Sequence, residues 1–270
     1  MEINRGNVQE IISKSGLKPD KDYGQNYLLE PELASKIVDF LNIKNDEKIL
    51  EIGPGIGSLT HFICGHPAKE IDLVDIDERM VNFLKILYHN ENTNIILNDI
   101  RKHDVSKYDK IIGNLPYNIT TETVVYLLEN AVSAKKMVLM CQAEAYPRFH
   151  DVSGGEYGPT SILVHLLGDS KRLLTVKPGS FYPAPKCSSV VFEININEGV
   201  DFEYCKAVYS FAKKLFLNRR KTILNNLSNL VKDKNNALKL LEEENIPSNR
   251  RPEEISPEKY VSLYNRFIKI

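Results

Sequence analysis

The residues of this chain best suited to chemistry are Asn114-Leu115-Pro116-Tyr117. The exocyclic amine of an adenine is a poor nucleophile because its lone pair is delocalised into the ring. If the Asn114 side-chain oxygen and the Leu115 or Pro116 carbonyl accept its two hydrogens, the nitrogen is drawn toward tetrahedral geometry. Its lone pair can then meet an electrophilic methyl carbon, and the positive charge that grows on nitrogen develops beside acceptors already in place. Pro116 restricts the backbone carrying those carbonyls, and Tyr117 offers a flat face on which an extruded base could stack. The plainer alternative is a proline-containing strand-to-helix turn with a packed tyrosine. A second aromatic candidate is Phe181, in Phe181-Tyr182-Pro183-Ala184-Pro185-Lys186. Two prolines would stiffen a loop that exposes this ring to the other face of the base; by spacing alone, a core phenylalanine fits equally well.

Upstream, Ile49-Leu50-Glu51-Ile52-Gly53-Pro54-Gly55-Ile56-Gly57 closes an apolar run and opens a helical pattern. Gly53 and Gly55 would let the backbone turn and approach a ligand closely. A dinucleotide and S-adenosylmethionine are both compatible with such a loop. Asp75, at the end of the next strand, could take two ribose hydroxyls in either case. Asp99, after the third strand, tips the balance, because a carboxylate there can accept a hydrogen bond from a cofactor adenine. A glycine loop, Asp75 and Asp99 at the ends of successive strands is the methyltransferase order. Singly, either aspartate could equally be a helix cap or a turn residue.

These residues need a sheet to bring them together. Short strand-like runs fall at 48–52, 70–74, 94–97, 110–113, 136–140, 172–177 and 189–194. Helical patterns fall at 33–41, 58–64, 78–88 and 121–130. Such alternation predicts a mostly parallel α/β sheet. The absence of a long helix between the last two strands predicts an antiparallel end, the layout of the class I methyltransferase fold. Past Gly199 only helices are predicted, at 205–216, 220–231, 236–243 and 258–268. The chain therefore divides into a catalytic domain over 1–198, with an N-terminal helical lead-in, and a helical domain over 199–270, to which the family resemblance described below assigns the positioning of RNA.

Four dispersed cysteines without a C-x-x-C pair point to a reducing cytosol and no structural metal. No apolar run approaches the roughly 20 residues needed to cross a bilayer, and residues 1–10 lack an apolar signal stretch. A cytoplasmic monomer is expected. The net charge is only −1, but it is unevenly spread. Residues 201–270 hold 14 Lys and Arg against 9 Asp and Glu, and the remainder is acidic. Arg219, Arg220 and Lys221 are adjacent where a helix is expected to begin. The helix dipole disfavours cations there, so they call for a partner, either an acidic side chain or RNA phosphate.

With these motifs the chain resembles the ribosomal RNA adenine dimethyltransferases, most closely their bacterial small-subunit, kasugamycin-sensitivity branch. Gly24-Gln25-Asn26-Tyr27-Leu28 resembles the family's G-Q-N-F-L. Glu51 to Gly55 matches E-I-G-P-G, Asn114 to Ile119 matches N-L-P-Y-N-I, Phe181 to Lys186 fits F-x-P-x-P-K, and Asn218 to Ile223 resembles Q-R-R-K-T-L. The resemblance implies S-adenosylmethionine as cofactor, with contacts on Asn26, Leu28, Gly53, Asp75, Asp99 and Asn114. It also implies ribosomal RNA, in a small-subunit assembly particle, as partner, with dimethylation of adenine as the reaction. Departures are Asp75 where the family has Glu, Gln142-Ala143-Glu144 for Q-K-E, Tyr157-Gly158-Pro159-Thr160-Ser161 for Y-G-R-L-S, and few basic residues before Gly24. Three of these four remove positive charge. A large-subunit enzyme of the macrolide-resistance type, and a ribosome-assembly factor without activity, are the alternatives. The intact 114–117 motif disfavours the second. It also disfavours an oxidoreductase, which leaves that motif unexplained. The Phe181 loop and Arg219 to Lys221 disfavour a DNA adenine methylase.

Overall fold

A computed structural model describes residues 2–20 and 23–269. In chain order the elements are α1 (Val8–Ser15), β1 (Tyr27–Leu28), α2 (Pro31–Asp39), β2 (Lys48–Ile52), α3 (Thr60–Ile63), β3 (Glu70–Asp75), α4 (Glu78–Leu87), β4 (Thr93–Leu97), β5 (Lys110–Asn114), α5 (Thr120–Asn130), β6 (Lys136–Gln142), α6 (Pro159–Leu167), β7 (Gly168–Val176), β8 (Phe181–Tyr182), β9 (Ser189–Ile196), α7 (Phe202–Phe216), α8 (Ile223–Val231), α9 (Lys234–Glu243) and α10 (Pro257–Phe267).

The seven predicted strands form one sheet in the order β4-β3-β2-β5-β6-β9-β7. β2 pairs in parallel with both β3 and β5, β5 with β6, and β9 runs antiparallel to β6. This is the class I methyltransferase fold. Ile49, Leu50, Ile111 and Ile112 are completely buried, which explains why β2 and β5 read as continuous apolar runs instead of alternating ones. Register aligns the strand ends. Ile52 lies beside Val74 on one side and Gly113 on the other. The next residues, Gly53, Asp75 and Asn114, therefore emerge together at the carboxyl edge, where the strand order changes direction and open α/β sheets bind ligands.

A second, two-stranded ribbon pairs Tyr27 with Tyr182 and Leu28 with Phe181. It was not foreseen, since two-residue strands are too short to show periodicity. Helix α6 was not foreseen either, because its apolar face is too broad for a clear period: Ile162, Leu163, Val164 and Leu167 are all buried.

The chain forms two compact units. One comprises residues 1–146 and 171–196, the other 147–170 and 197–270. A division at residue 198 thus leaves out 147–170, which belong with the later helices. The reason is packing: Tyr157 and Ile162 share a buried cluster with Val208, Phe211 and Leu215 of α7, Leu227 of α8 and Tyr260 of α10. No helix among the described residues is long and apolar enough to cross a membrane.

Candidate active site

Asn26, Leu28, Gly53, Gly55, Asp75, Asp99, Asn114, Leu115, Pro116 and Tyr117 all line one cleft in the first unit. Its floor is the glycine loop. The Gly53 amide donates to the Val74 carbonyl at 2.9 Å and the Gly57 amide to the Pro54 carbonyl at 2.9 Å, so the turn is held at both ends. Gly55 has φ +55°, and a Cβ added there would meet the Tyr27 ring at 3.3 Å. A side chain at this position would be both strained and crowded.

Asp75 ends β3 and is 7 % exposed. One carboxylate oxygen accepts from the Gly55 amide at 3.1 Å and the other from the Asp77 amide at 2.9 Å. An ionised carboxylate has about four acceptor positions, so these bonds leave acceptor capacity for hydroxyls in the cleft. Burial pushes its pKa up to about 6, with the two amides and that of Ile76 opposing the shift.

Asp99 follows β4 and caps a single 3₁₀ turn. Its first oxygen accepts from the Arg101 amide and Nε, both at 3.0 Å, and its second from Nη2 at 2.8 Å. The Arg101 guanidinium holds Asp99 below the usual carboxylate range. Asp77-Glu78-Arg79, one strand earlier, repeats this geometry: the Asp77 carboxylate accepts from the Arg79 amide, Nε and Nη2. Asp77 is buried, however, and takes a further bond from Gln25 at 2.9 Å.

The Asn114 amide nitrogen donates to the Asn26 carbonyl at 3.0 Å. That bond orients the side chain and leaves the Asn114 oxygen as an acceptor. Asn26 is itself held by its side chain, which donates to the Gly24 carbonyl at 3.0 Å. Sequence alone offered either the Leu115 or the Pro116 carbonyl as second acceptor, and the structure separates them. The Pro116 carbonyl already accepts from the Ile119 amide at 3.2 Å and the Thr120 hydroxyl at 2.9 Å. The Leu115 amide is tied to the Met140 carbonyl at 3.0 Å, and its own carbonyl meets no such donor among the described residues. Asn114 and Leu115 together therefore present two acceptors from a rigid strand end. Gly113, just before them, pairs so closely with β2 that an added Cβ would lie 2.8 Å from the Ile52 carbonyl oxygen. Tyr117 is half-buried, its hydroxyl 3.0 Å from the Ser189 hydroxyl, and burial raises its pKa.

Two expectations are corrected. Phe181 is not an exposed ring: it is 3 % exposed, pairs with Leu28 and packs in the apolar cluster that also holds Leu59 and Val191. The ribbon to β1 turns this ring inward, and the half-buried aromatic on that strand is Tyr182. In the second unit, Arg219, Arg220 and Lys221 do not begin a helix. α8 starts at Ile223, and Thr222 caps it by accepting from the Asn225 amide, the role for which Thr is better suited than Arg. Nor are the three cations alike. Arg219 donates to the Gly154 and Tyr157 carbonyls at 2.8 and 2.9 Å and lies 3.6 Å from Glu253. Arg220 and Lys221 are exposed and make no ion pair with a described residue.

Glu51 and Arg101 also line the cleft, and neither was singled out from sequence. Glu51 is 1 % exposed and accepts from the Thr60 hydroxyl at 2.7 Å; burial pushes its pKa up to about 8. Inside an apolar strand it reads as a register position. The signal for Arg101 was available in the repeated Asp-x-Arg at 77–79 and 99–101.

Comparison with known proteins agrees with this geometry. The family model for ribosomal RNA adenine dimethylase matches residues 16–269. Ribosomal RNA small subunit methyltransferase A of Mycoplasma capricolum is 36% identical over 260 residues, covering 92% of this chain and 97% of the relative. The protein of the same name from Alkaliphilus oremlandii is 36% identical over 97% of this chain and 96% of its own. Among solved structures, a dimethyladenosine transferase from Plasmodium falciparum superposes with a TM-score of 0.77 at 26% identity, covering 90% of this chain and 97% of that one. The 23S rRNA methyltransferase ErmE superposes with a TM-score of 0.67 at 20% identity, covering 89% and 98%; this second likeness speaks to the fold alone. With the family model spanning nearly its whole length and the cleft assembled from the motifs quoted above, the chain belongs to the ribosomal RNA adenine dimethylase family.

Proposed function

We propose that this chain transfers methyl groups from S-adenosylmethionine to the exocyclic amine of adenine in small-subunit ribosomal RNA, twice on the same nitrogen. The observation that carries this reading is the pair of acceptors at the end of β5, the Asn114 side-chain oxygen and the Leu115 carbonyl, in the same cleft as Asp75 and Asp99. The cleft fits the cofactor in its own terms. Asp75 has acceptor positions left for a ribose diol, Asp99 retains one for an adenine amine, and Gly55 clears the approach with no Cβ. When bound, S-adenosylmethionine supplies a methyl carbon made electrophilic by the sulfonium.

The chain's own part is positioning and charge stabilisation. Asn114 and Leu115 accept hydrogen bonds from the amine N–H groups and draw the nitrogen out of conjugation. As the nitrogen's bond to the methyl carbon forms, the carbon–sulfur bond breaks, S-adenosylhomocysteine leaves and the displaced amine proton passes to solvent. As that nitrogen becomes positive, both acceptors already face it and need no reorganisation. Tyr117, anchored by its hydroxyl on Ser189, lends its ring as the surface for the base. Docking belongs to the second unit, where Arg220 and Lys221 project as uncommitted charges. Their loop is joined to the Arg250-Arg251 turn by a 2.7 Å bond from the Ile223 amide to the Arg250 carbonyl. The names of the relatives favour the small subunit as substrate.

The test is tritiated methyl transfer to small-subunit particles, large-subunit particles, free ribosomal RNA and duplex DNA. Two methyl groups per modified adenine, on small-subunit particles alone, is the expected result. Label on large-subunit RNA would move the chain to the macrolide-resistance type. No label on any substrate, with the cofactor bound, would leave a ribosome-assembly factor without activity.

A further inference from the structure

Arg101 lines the cleft, and each of its three side-chain nitrogens has a carboxylate partner. Nε and Nη2 hold Asp99 at 3.0 and 2.8 Å, and Nη1 reaches Glu122, in the first turn of α5, at 3.1 Å. Arg79 makes the corresponding clamp on Asp77, but neither residue lines the cleft, whereas Asp99 and Arg101 both do. The resemblance that places the other site residues does not account for Arg101.

We infer that Arg101 is a positioning residue that sets Asp99 for one hydrogen bond to the exocyclic amine of the cofactor's adenine. This rests on the proposed role of Asp99. Of about four acceptor positions on a carboxylate, the Arg101 amide and Nε fill two on one oxygen and Nη2 fills one on the other. A single position remains, with the direction fixed by a planar fork that lets the carboxylate neither rotate nor tilt. An amine N–H needs one acceptor, and this arrangement offers one. Glu122 anchors the fork from the opposite side, on the helix that follows the Asn114 motif. Without the fork, Asp99 remains at the rim but is free to turn to water, and the amine loses its preoriented partner.

The readout is the dependence of binding on that amine. S-adenosylhomocysteine and its analogue bearing hydrogen in place of the exocyclic amine are titrated calorimetrically into the intact protein and into Arg101→Ala, Arg101→Lys and Arg79→Ala. The intact protein is expected to bind the amine-free analogue about tenfold more weakly, the usual worth of one hydrogen bond to a charged acceptor. In Arg101→Ala that discrimination should fall to about twofold or less. Arg101→Lys should recover little of it, because an ammonium cannot reproduce the fork. Arg79→Ala should keep the full discrimination. Tenfold discrimination persisting in Arg101→Ala, with circular dichroism unchanged, overturns the role of Arg101 and leaves that of Asp99 standing. No discrimination in the intact protein overturns the reading of Asp99 itself, and the inference falls with it.

Discussion

The cleft of the first unit and the 218–222 turn of the second use charge in opposite ways. In the cleft, nearly every charged or polar group is committed to the protein. Asp75 is held by two backbone amides, Asp99 by Arg101, Asn114 by Asn26, and Glu51 by Thr60. Each retains only the acceptor capacity its internal partners leave over. In the turn, one cation is committed and two are not: Arg219 is tied to two carbonyls and Glu253, while Arg220 and Lys221 stand in solvent. Chemistry needs groups that do not reorganise, and burial with internal hydrogen bonds supplies that. Attraction for a polyanion needs charges that no internal partner has neutralised. Arg219, beside two such charges in sequence, is committed to internal partners in the way the cleft groups are.

Four tests break or sharpen this contrast. The largest effect should come from Asn114→Ala. It removes one of two acceptors from a strand end, and single-turnover methyl transfer should slow on the order of 100-fold or more, with RNA affinity nearly unchanged. Near-normal turnover would show that the nitrogen is activated elsewhere.

Asp75→Asn should weaken cofactor binding by about 1–3 kcal/mol in a calorimetric titration at pH 8. It should also abolish a pH dependence. The carboxyl titrates at about 6, and hydroxyl donors need its ionised form. Affinity in the intact protein is therefore present above that value and lost as pH falls through it, by up to about tenfold per unit. A cofactor affinity that stays flat between pH 5 and 8 in the intact protein would rule out Asp75 as the ribose acceptor.

The third test divides the basic triplet. Arg219→Gln should lower the stability of the protein by about 1 kcal/mol, since the part-buried Tyr157 carbonyl and the exposed Gly154 carbonyl lose a charged donor. The Arg220→Gln, Lys221→Gln double variant should leave the melting temperature alone and reduce the salt slope of ribosomal-particle binding by about two. A melting temperature lowered by the double variant, or an unchanged slope, would erase the distinction between committed and free cations.

The smallest effect should be that of Glu51→Gln. Its folded pKa of about 8 lies above the ordinary value of 4.5. The contribution of the protonated form is thus fully present below about 4.5 and lost as pH rises toward 8, where a buried carboxylate must charge. Glutamine escapes that loss. In thermal unfolding without cofactor, the variant should gain on the intact protein by at least about 1 kcal/mol between pH 5 and pH 9. A constant difference between the two proteins across that range would mean that Glu51 is already ionised in the fold.

By itself the sequence determined the sheet, the family and the set of residues at its carboxyl edge. Apolar runs at 48–52 and 110–113 sit in interior strands, and glycines at 53 and 55 are required by local backbone geometry. Such constraints are local, so they are legible residue by residue. What the tertiary structure decided depends on which distant groups compete for the same atom. The Pro116 carbonyl is occupied by the Ile119 amide and the Thr120 hydroxyl at the start of α5, which is why the Leu115 carbonyl is the one proposed as acceptor. Phe181 turned inward because β8 pairs with a strand some 150 residues earlier, beyond the reach of any local pattern. Residues 147–170 joined the second unit because Tyr157 and Ile162 found their apolar partners on α7, α8 and α10. Arg219 parted from Arg220 for the same reason: Gly154 and Tyr157 place two carbonyls beside its guanidinium alone. A sequence states how many hydrogen bonds a side chain can make, and only the folded chain settles which of them are still open.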